Sequence, residues 1–388
     1  MNDLERFAAI CSGEKPDYTL IFGFPGAPGM SRGCMQKTHD RLVATGMPAD
    51  LGGIMNLDCG CHDVESWKRY WGTTDPEMCG VSRTLGAPGF RSTSRIEGEY
   101  EIIESESGAV TRQLIDNAIT YSMPEYIEFP VRDRDSWEVY KQRMTPAGLV
   151  PLDELRPQLD RYGGRQRPLA VGAGGAYGYL RGLLGPERLS LEFFDDPGLI
   201  HDMMAWKLQQ TREAVFPIIE AVRPEIVQLG EDLSYNHGML LSPALFDQFC
   251  GAYYREVCEL SRSCGVMLVA VDTDGNLMEF AEVATSYGVN GLFPCEVKAG
   301  NDLFDLGARF PELVLFGWLE KESVNEGNEA SIEPEIAAKV PPLLERGRYF
   351  PNGDHGIQPP VTFPNLCRFM ALLHDVCNNP EGHFPRAR

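Results

Sequence analysis

Four short stretches place an acid or a histidine where an apolar run stops. Residues 267–276, MLVAVDTDGN, pass from five apolar residues straight to Asp272 and Asp274. IVQLGEDLSYNHG (226–238) sets Glu231 and Asp232 after Gly230, GLFPCEVKAG (291–300) sets Cys295 and Glu296 after Pro294, and RYFPNGDHGIQPP (348–360) sets Asp354 and His355 after Gly353. A lone acid after a strand is usually a helix cap or a turn residue, and a lone cysteine is usually a small buried apolar residue. The fourfold recurrence is what points to a site. Carboxylates crowded in one cleft raise one another's pKa. Two arrangements relieve this: a cation, whether a metal ion or an Arg or Lys, or a carboxylic acid that stays protonated at neutral pH and can donate to a leaving group. Asp272, Glu231, Asp274 and His355 are the candidate catalytic cluster. Tyr235 and Asn236, in the loop after Glu231, are candidates for orienting a substrate.

Something must hold these tips together. Apolar runs at 19–24, 52–57, 168–172, 226–230, 266–271, 291–294, 313–317 and 349–352 are each bounded by Gly, Pro, Asn or Asp. Such runs suit strands buried on both faces, as in a parallel sheet. Helical patterns lie between them. Ser242-Pro243 caps one that carries Leu245, Phe246, Phe249, Tyr253 and Val257. A second runs from about Leu277 to Tyr287, and a third follows Pro364-Asn365. Alternation of strand and helix predicts an α/β fold, and eight runs predict a closed (β/α)8 TIM barrel spanning 1–388 as one domain. Catalytic groups in that architecture gather at the C-terminal ends of the strands. Residues 94–131 break the rhythm and alternate around Ser107-Gly108, which predicts an inserted antiparallel hairpin, either a flap over one end or a surface shield.

Composition narrows the function classes. Fifty-six acids against 35 Lys and Arg give a net charge of −21, which disfavours nucleic acid as a partner. No apolar stretch reaches the roughly 18–20 residues of a membrane span. Eleven irregularly spaced cysteines fit a reducing cytoplasm better than a disulfide scaffold, and the first residues lack a signal-peptide pattern. Cys59, Cys61 and His62 in DCGCHD (58–63) do not match zinc-finger spacing and read as a loop. VGAGGAYGYLRG (171–182) follows a strand but is not GxGxxG, so a tight turn bringing Tyr177 and Tyr179 near substrate, or packing them, is expected in place of a dinucleotide site. Cys34 and Met35 are expected to line a pocket without chemistry of their own.

ERFAAICSGEKPD, GEDLSYNHGMLLSPALFDQF, VDTDGN, GLFPCEVKAGND and FPNGDHGIQPPVTFPN together resemble the uroporphyrinogen decarboxylase superfamily over nearly the whole chain. The resemblance implies a (β/α)8 barrel. True decarboxylases of that superfamily carry an Arg-rich segment after the first strand, whereas IFGFPGAPGMSRG offers only Arg32. The coenzyme M methyltransferases hold zinc by a His-x-Cys pair and a distant Cys. Asp272, Asp274 and His355 stand at the matching positions here, so a thiolate zinc site is lost. A harder site for zinc or another metal, made by Asp272, Asp274, Glu231 and His355, is one alternative, and a metal-free site is the other.

The Asp-Thr-Asp-Gly and Asp-His-Gly version looks like the branch of corrinoid-dependent O-demethylases. The resemblance implies methyl transfer from a small methyl ether, aromatic ones included, to a corrinoid (cobalamin). This chain has no Asp-x-His-x-x-Gly motif, so the corrinoid must ride on a partner protein docking at the barrel mouth. Tyr177 and Cys295 join Tyr235 and Asn236 as substrate-contact candidates. A lyase decarboxylating a small acid is the rival, and would need Lys298 or Arg181 to hold the carboxylate. A non-catalytic binding module is the third reading. A homodimer is compatible with all of them.

Overall fold

The computed structural model describes residues 1–388 apart from 24–31, 56–59, 88–89, 116–123 and 387–388. Seven parallel strands form one sheet in chain order: β1 (Glu77–Met78), β2 (Leu169–Gly172), β3 (Ile226–Gly230), β4 (Leu268–Asp272), β5 (Gly291–Phe293), β6 (Val314–Leu319) and β7 (Tyr349–Gly353). The sheet curls, because inward residues from β2 to β7 meet in one cluster. Ala170, Ile226, Leu268, Ala270, Phe293, Val314, Phe316 and Phe350 pack there with Leu20, Phe22 and, from the N-terminal helix Asp3–Ser12, Phe7 and Ile10. The Phe316 and Phe350 rings stack at 4.9 Å, and Phe22 lies 5.1 Å from Phe350. Each Phe withdrawn from water contributes about 1.5–3 kcal/mol. The outer face of the sheet packs on the helices through a second, larger cluster.

The segment at 21–23 is tied to the β1 side of the sheet by one parallel bridge, Phe22 to Thr74. Thr74 N–H donates to the Ile21 carbonyl at 2.9 Å and Gly23 N–H to that of Thr74 at 3.1 Å. A closed eight-stranded barrel was the expectation; the described backbone forms a curled sheet of seven strands plus this bridge. The run at 52–57, as far as it is described, adds no strand to it. Its described part is a turn in which Gly52 and Gly53 take left-handed φ of 76° and 66°. The strand on that side is Glu77–Met78, in a stretch too short and polar to be read as one.

The described residues between 93 and 128 include a four-stranded antiparallel sheet, Thr93–Glu97, Tyr100–Glu104, Val110–Leu114 and Glu125–Glu128, where a single hairpin was expected. The three expected helices are present: Ser242 accepts from Leu245 N–H at the start of Pro243–Phe249, a break at Cys250 puts Tyr253 and Val257 on a separate helix, Gly251–Ser263, and Met278–Tyr287 and Phe363–Val376 occupy the other two positions. Among the described residues, no helix is long and apolar enough to cross a membrane.

Candidate functional site

Parity along each strand decides which tips face the interior. Leu268 and Ala270 of β4 belong to the interior cluster, so Asp272, two residues on, is inward as well. It pairs in register with Gly230 of β3 and Phe293 of β5. Gly172 of β2 and Gly230 are the inward strand ends beside it. Both are exposed, and a Cβ built on either meets nothing within 4 Å. An open space therefore lies above the phenylalanine layer, bordered by Gly172, Gln228, Gly230 and Asp272. Among the described residues the Asp272 carboxyl has no hydrogen-bond partner. Burial, then the charges of Asp274 and Asp232, push its pKa well above the usual carboxylate range.

Asp274 and His355 stand at the rim. His355 Nε2 lies 3.7 Å from Asp274 Oδ1, with about a third and a half of the two side chains exposed. Gly356 N–H donates to His355 Nδ1 at 2.8 Å, so the neutral ring carries its proton on Nε2, toward Asp274. At 3.7 Å the pair is too long for a hydrogen bond and becomes an ion pair when the ring is protonated. Burial pushes Asp274 up to about 6, against the opposing pull of His355. The loop is held on both sides. Gly275 N–H donates to Glu296 Oε2 at 2.9 Å, and Leu233 N–H donates to Thr273 Oγ1 at 2.9 Å. Gly275 has φ +86°, and a Cβ there would lie 2.6 Å from the Ser234 carbonyl carbon, so only glycine fits. Asp232, with left-handed φ of 46°, binds Arg181 at 2.6 Å on the same side.

Glu231 and Asp354 are turned to another use. Glu231 is one residue past the inward Gly230, which sends it outward under the helix Tyr177–Leu184. Its Oε1 accepts Ala176 N–H at 2.7 Å and Tyr254 O–H at 2.8 Å, and its Oε2 accepts Gly178 N–H at 2.7 Å. A Cβ on Gly175 would sit 1.9 Å from the Gly230 carbonyl oxygen, and one on Gly178 would sit 2.8 Å from that of Glu231. The glycine-rich turn therefore wraps the protein's own carboxylate at a helix N-terminus, the place an external anion would take. Burial raises the Glu231 pKa against these three donors. Asp354, 2% exposed, likewise staples two loops: Val297 N–H donates to Oδ2 at 2.9 Å and Lys321 N–H to Oδ1 at 3.0 Å. Asp354→Asn turns an amide N–H2 onto one of those donors and is expected to lower unfolding free energy by about 1–3 kcal/mol in urea titration.

The remaining candidates divide. Tyr235 is 48% exposed, edge-on to His237, and Asn236 is exposed beside it; their hairpin borders the Asp274 loop. Tyr177 is buried in the outer core. Cys295 is fully buried, its thiol donates to the Leu292 carbonyl, and burial pushes it up to about 12, so it offers no thiolate. Arg32 is paired with the buried Asp75 at 3.0 Å. Residues 24–31 and Cys59 lie outside the described residues. Among those described, no three His, Cys, Asp or Glu side chains are grouped so as to hold a metal ion. The expected set Asp272, Asp274, Glu231 and His355 does not form because Glu231 faces away, and the residues do not fit zinc. Sequence reasoning missed the inward glycines and Asn352; counting alternate residues back to the apolar interior of each strand finds them.

No protein-family model and no curated protein matches the chain. One solved structure with some similarity is nitroalkane oxidase from Streptomyces ansochromogenes, at 15% identity and a TM-score of 0.25. The match covers 52% of this chain and 54% of that one, about half of each.

Proposed function

We propose that this chain is a corrinoid-dependent methyltransferase of the O-demethylase type, on a (β/α)8 barrel of the uroporphyrinogen decarboxylase superfamily in which the segment around Phe22 is the eighth staff. The single observation that carries the reading is Asp272: an inward carboxyl without a partner among the described residues, above an aromatic floor and beside open space, with its ionisation disfavoured. The corrinoid of a partner protein supplies the nucleophile for the methyl group. As the methyl carbon leaves the ether oxygen, the bonding pair stays on that oxygen, and the proton of Asp272 neutralises it. Phe293, Phe316 and Phe350 exclude water beneath. Asp274 and His355, at the solvent side, return the proton to Asp272. Tyr235 and Leu240, both exposed on the bordering hairpin, give the partner an apolar rim to dock on.

The lyase reading loses its cations. Arg181 is engaged by Asp232, and Lys298 is exposed and bound to Glu322 at 3.0 Å. A pocket bordered by Asp232, Asp272 and Asp274 favours a neutral methyl donor over a carboxylate. The test is incubation with reduced corrinoid protein and a panel of methyl ethers, following the cobalamin spectrum. Methylation of the corrinoid supports the proposal; no change on any ether, with a control enzyme active, refutes it.

Asp274 has a separate part. Its negative charge raises the Asp272 pKa. Asp274→Asn removes that charge, so Asp272 loses its proton at lower pH. The alkaline limb of the pH profile of kcat/KM is expected to move toward lower pH, and an unmoved limb rules out this coupling.

A further inference from the structure

Asn352 brings a buried amide to the inner face of the sheet. Asn352 is two residues past Phe350 of the interior cluster, so strand alternation places it on the same inner face. It is 2% exposed. Gly353 N–H donates to its Oδ1 at 2.9 Å, which fixes the orientation of the amide. Its Nδ2 is buried and has no hydrogen-bond partner among the described residues. An orphaned buried donor is costly and is expected to have a partner that the free protein lacks.

The neighbouring strand makes room for one. Trp318 is the register partner of Asn352 on β6. Gly317 and Trp318 take φ of 75° and 64°, and this break in the strand sends the indole outward. Its Nε1–H donates to the Asn301 carbonyl at 2.8 Å and its ring meets Phe304 edge-on at 5.1 Å. A large non-glycine residue held in the left-handed region is the kind of local strain that collects at functional sites. Across the inner face, Gly172 and Gly230 leave the opposite wall open.

We propose that the Asn352 amide is the specificity donor for the ether oxygen of the substrate, so that the pocket selects a compact neutral ether over a hydrocarbon of the same shape. The proposal rests on the methyl-ether reading above and names how that site recognises its ligand. Asn352 Nδ2 donates to a lone pair of the oxygen, the phenylalanine layer carries the apolar part, and the side opposite Asn352 holds the acid. An ether accepts but cannot donate, which suits a donor without a competing acceptor.

Methoxybenzene and ethylbenzene differ by one oxygen at constant shape, and their binding is measured by calorimetry without any corrinoid protein. Wild type is expected to bind methoxybenzene about 10-fold more tightly. Asn352→Leu is expected to bind the two alike, by losing affinity for methoxybenzene alone. Asn352→Ala adds no bulk, removes the amide donor, and is expected to lose the preference too; it guards against a packing defect in the leucine variant. A wild type without preference, or variants that retain it, overturn the proposal. Binding preference without methyl transfer sinks the transferase reading and leaves the amide's role standing. Methyl transfer without preference does the reverse.

Discussion

Asp272→Asn is expected to slow methyl transfer to the reduced corrinoid protein by about 10²–10⁴-fold, the range supplied by a positioned general acid. The asparagine keeps the shape and can still donate a hydrogen bond, but it has no proton to release. Binding of the methyl donor should change little, so the loss falls on kcat and on kcat/KM equally. Stability moves the other way. A carboxyl whose folded pKa is raised above its unfolded value favours the fold below the unfolded pKa, and that contribution is lost as pH rises through the folded value. For Asp272 the pKa is raised by burial and by Asp274 and Asp232, so near pH 7 the neutral isostere should be as stable as wild type or more so. A variant slowed by misfolding would instead show a lowered Tm. Preserved activity in Asp272→Asn removes the acid from the mechanism.

Glu231→Ala is expected to destabilise the protein by about 3–5 kcal/mol, read by urea unfolding. The substitution strands Ala176 N–H, Gly178 N–H and Tyr254 O–H around a buried void, and each unpaired buried donor costs about 1–3 kcal/mol. Glu231→Gln keeps an acceptor for part of this set and should lose less. Per folded molecule, its methyl transfer should stay within a few-fold of wild type, because Glu231 faces the helix Tyr177–Leu184 and not the pocket. A thousandfold loss in a fully folded Glu231→Gln protein would instead make Glu231 part of the chemistry.

These two acids show how far the sequence can be read. Glu231 and Asp272 follow similar apolar runs and look equivalent as text. Asp272 is in step with Leu268 and Ala270, so it points inward; Glu231 is out of step with Gly230, so it points outward. The six strands from Leu169 to Gly353 were legible because each is a mainly apolar run closed by a turn residue. Glu77–Met78 was not, since two residues give no periodicity, and GGIMNL misled because its apolar content hides two left-handed glycines. Cys295 and Tyr177 were chosen for their chemistry, whereas both side chains pack in the outer cluster and burial pushes the Cys295 thiol up to about 12. The open space at Gly172 and Gly230 could be found only by asking what is missing from an inward position.

The claim on which the mechanism stands is that Asp272 keeps its proton at neutral pH. The infrared difference spectrum of wild type minus Asp272→Asn at pH 7 measures this most directly. The expected result is the carbonyl stretch of a protonated carboxylic acid, present in wild type, absent in the variant, and bleached as pH is raised. A difference spectrum showing only ionised carboxylate bands would contradict it.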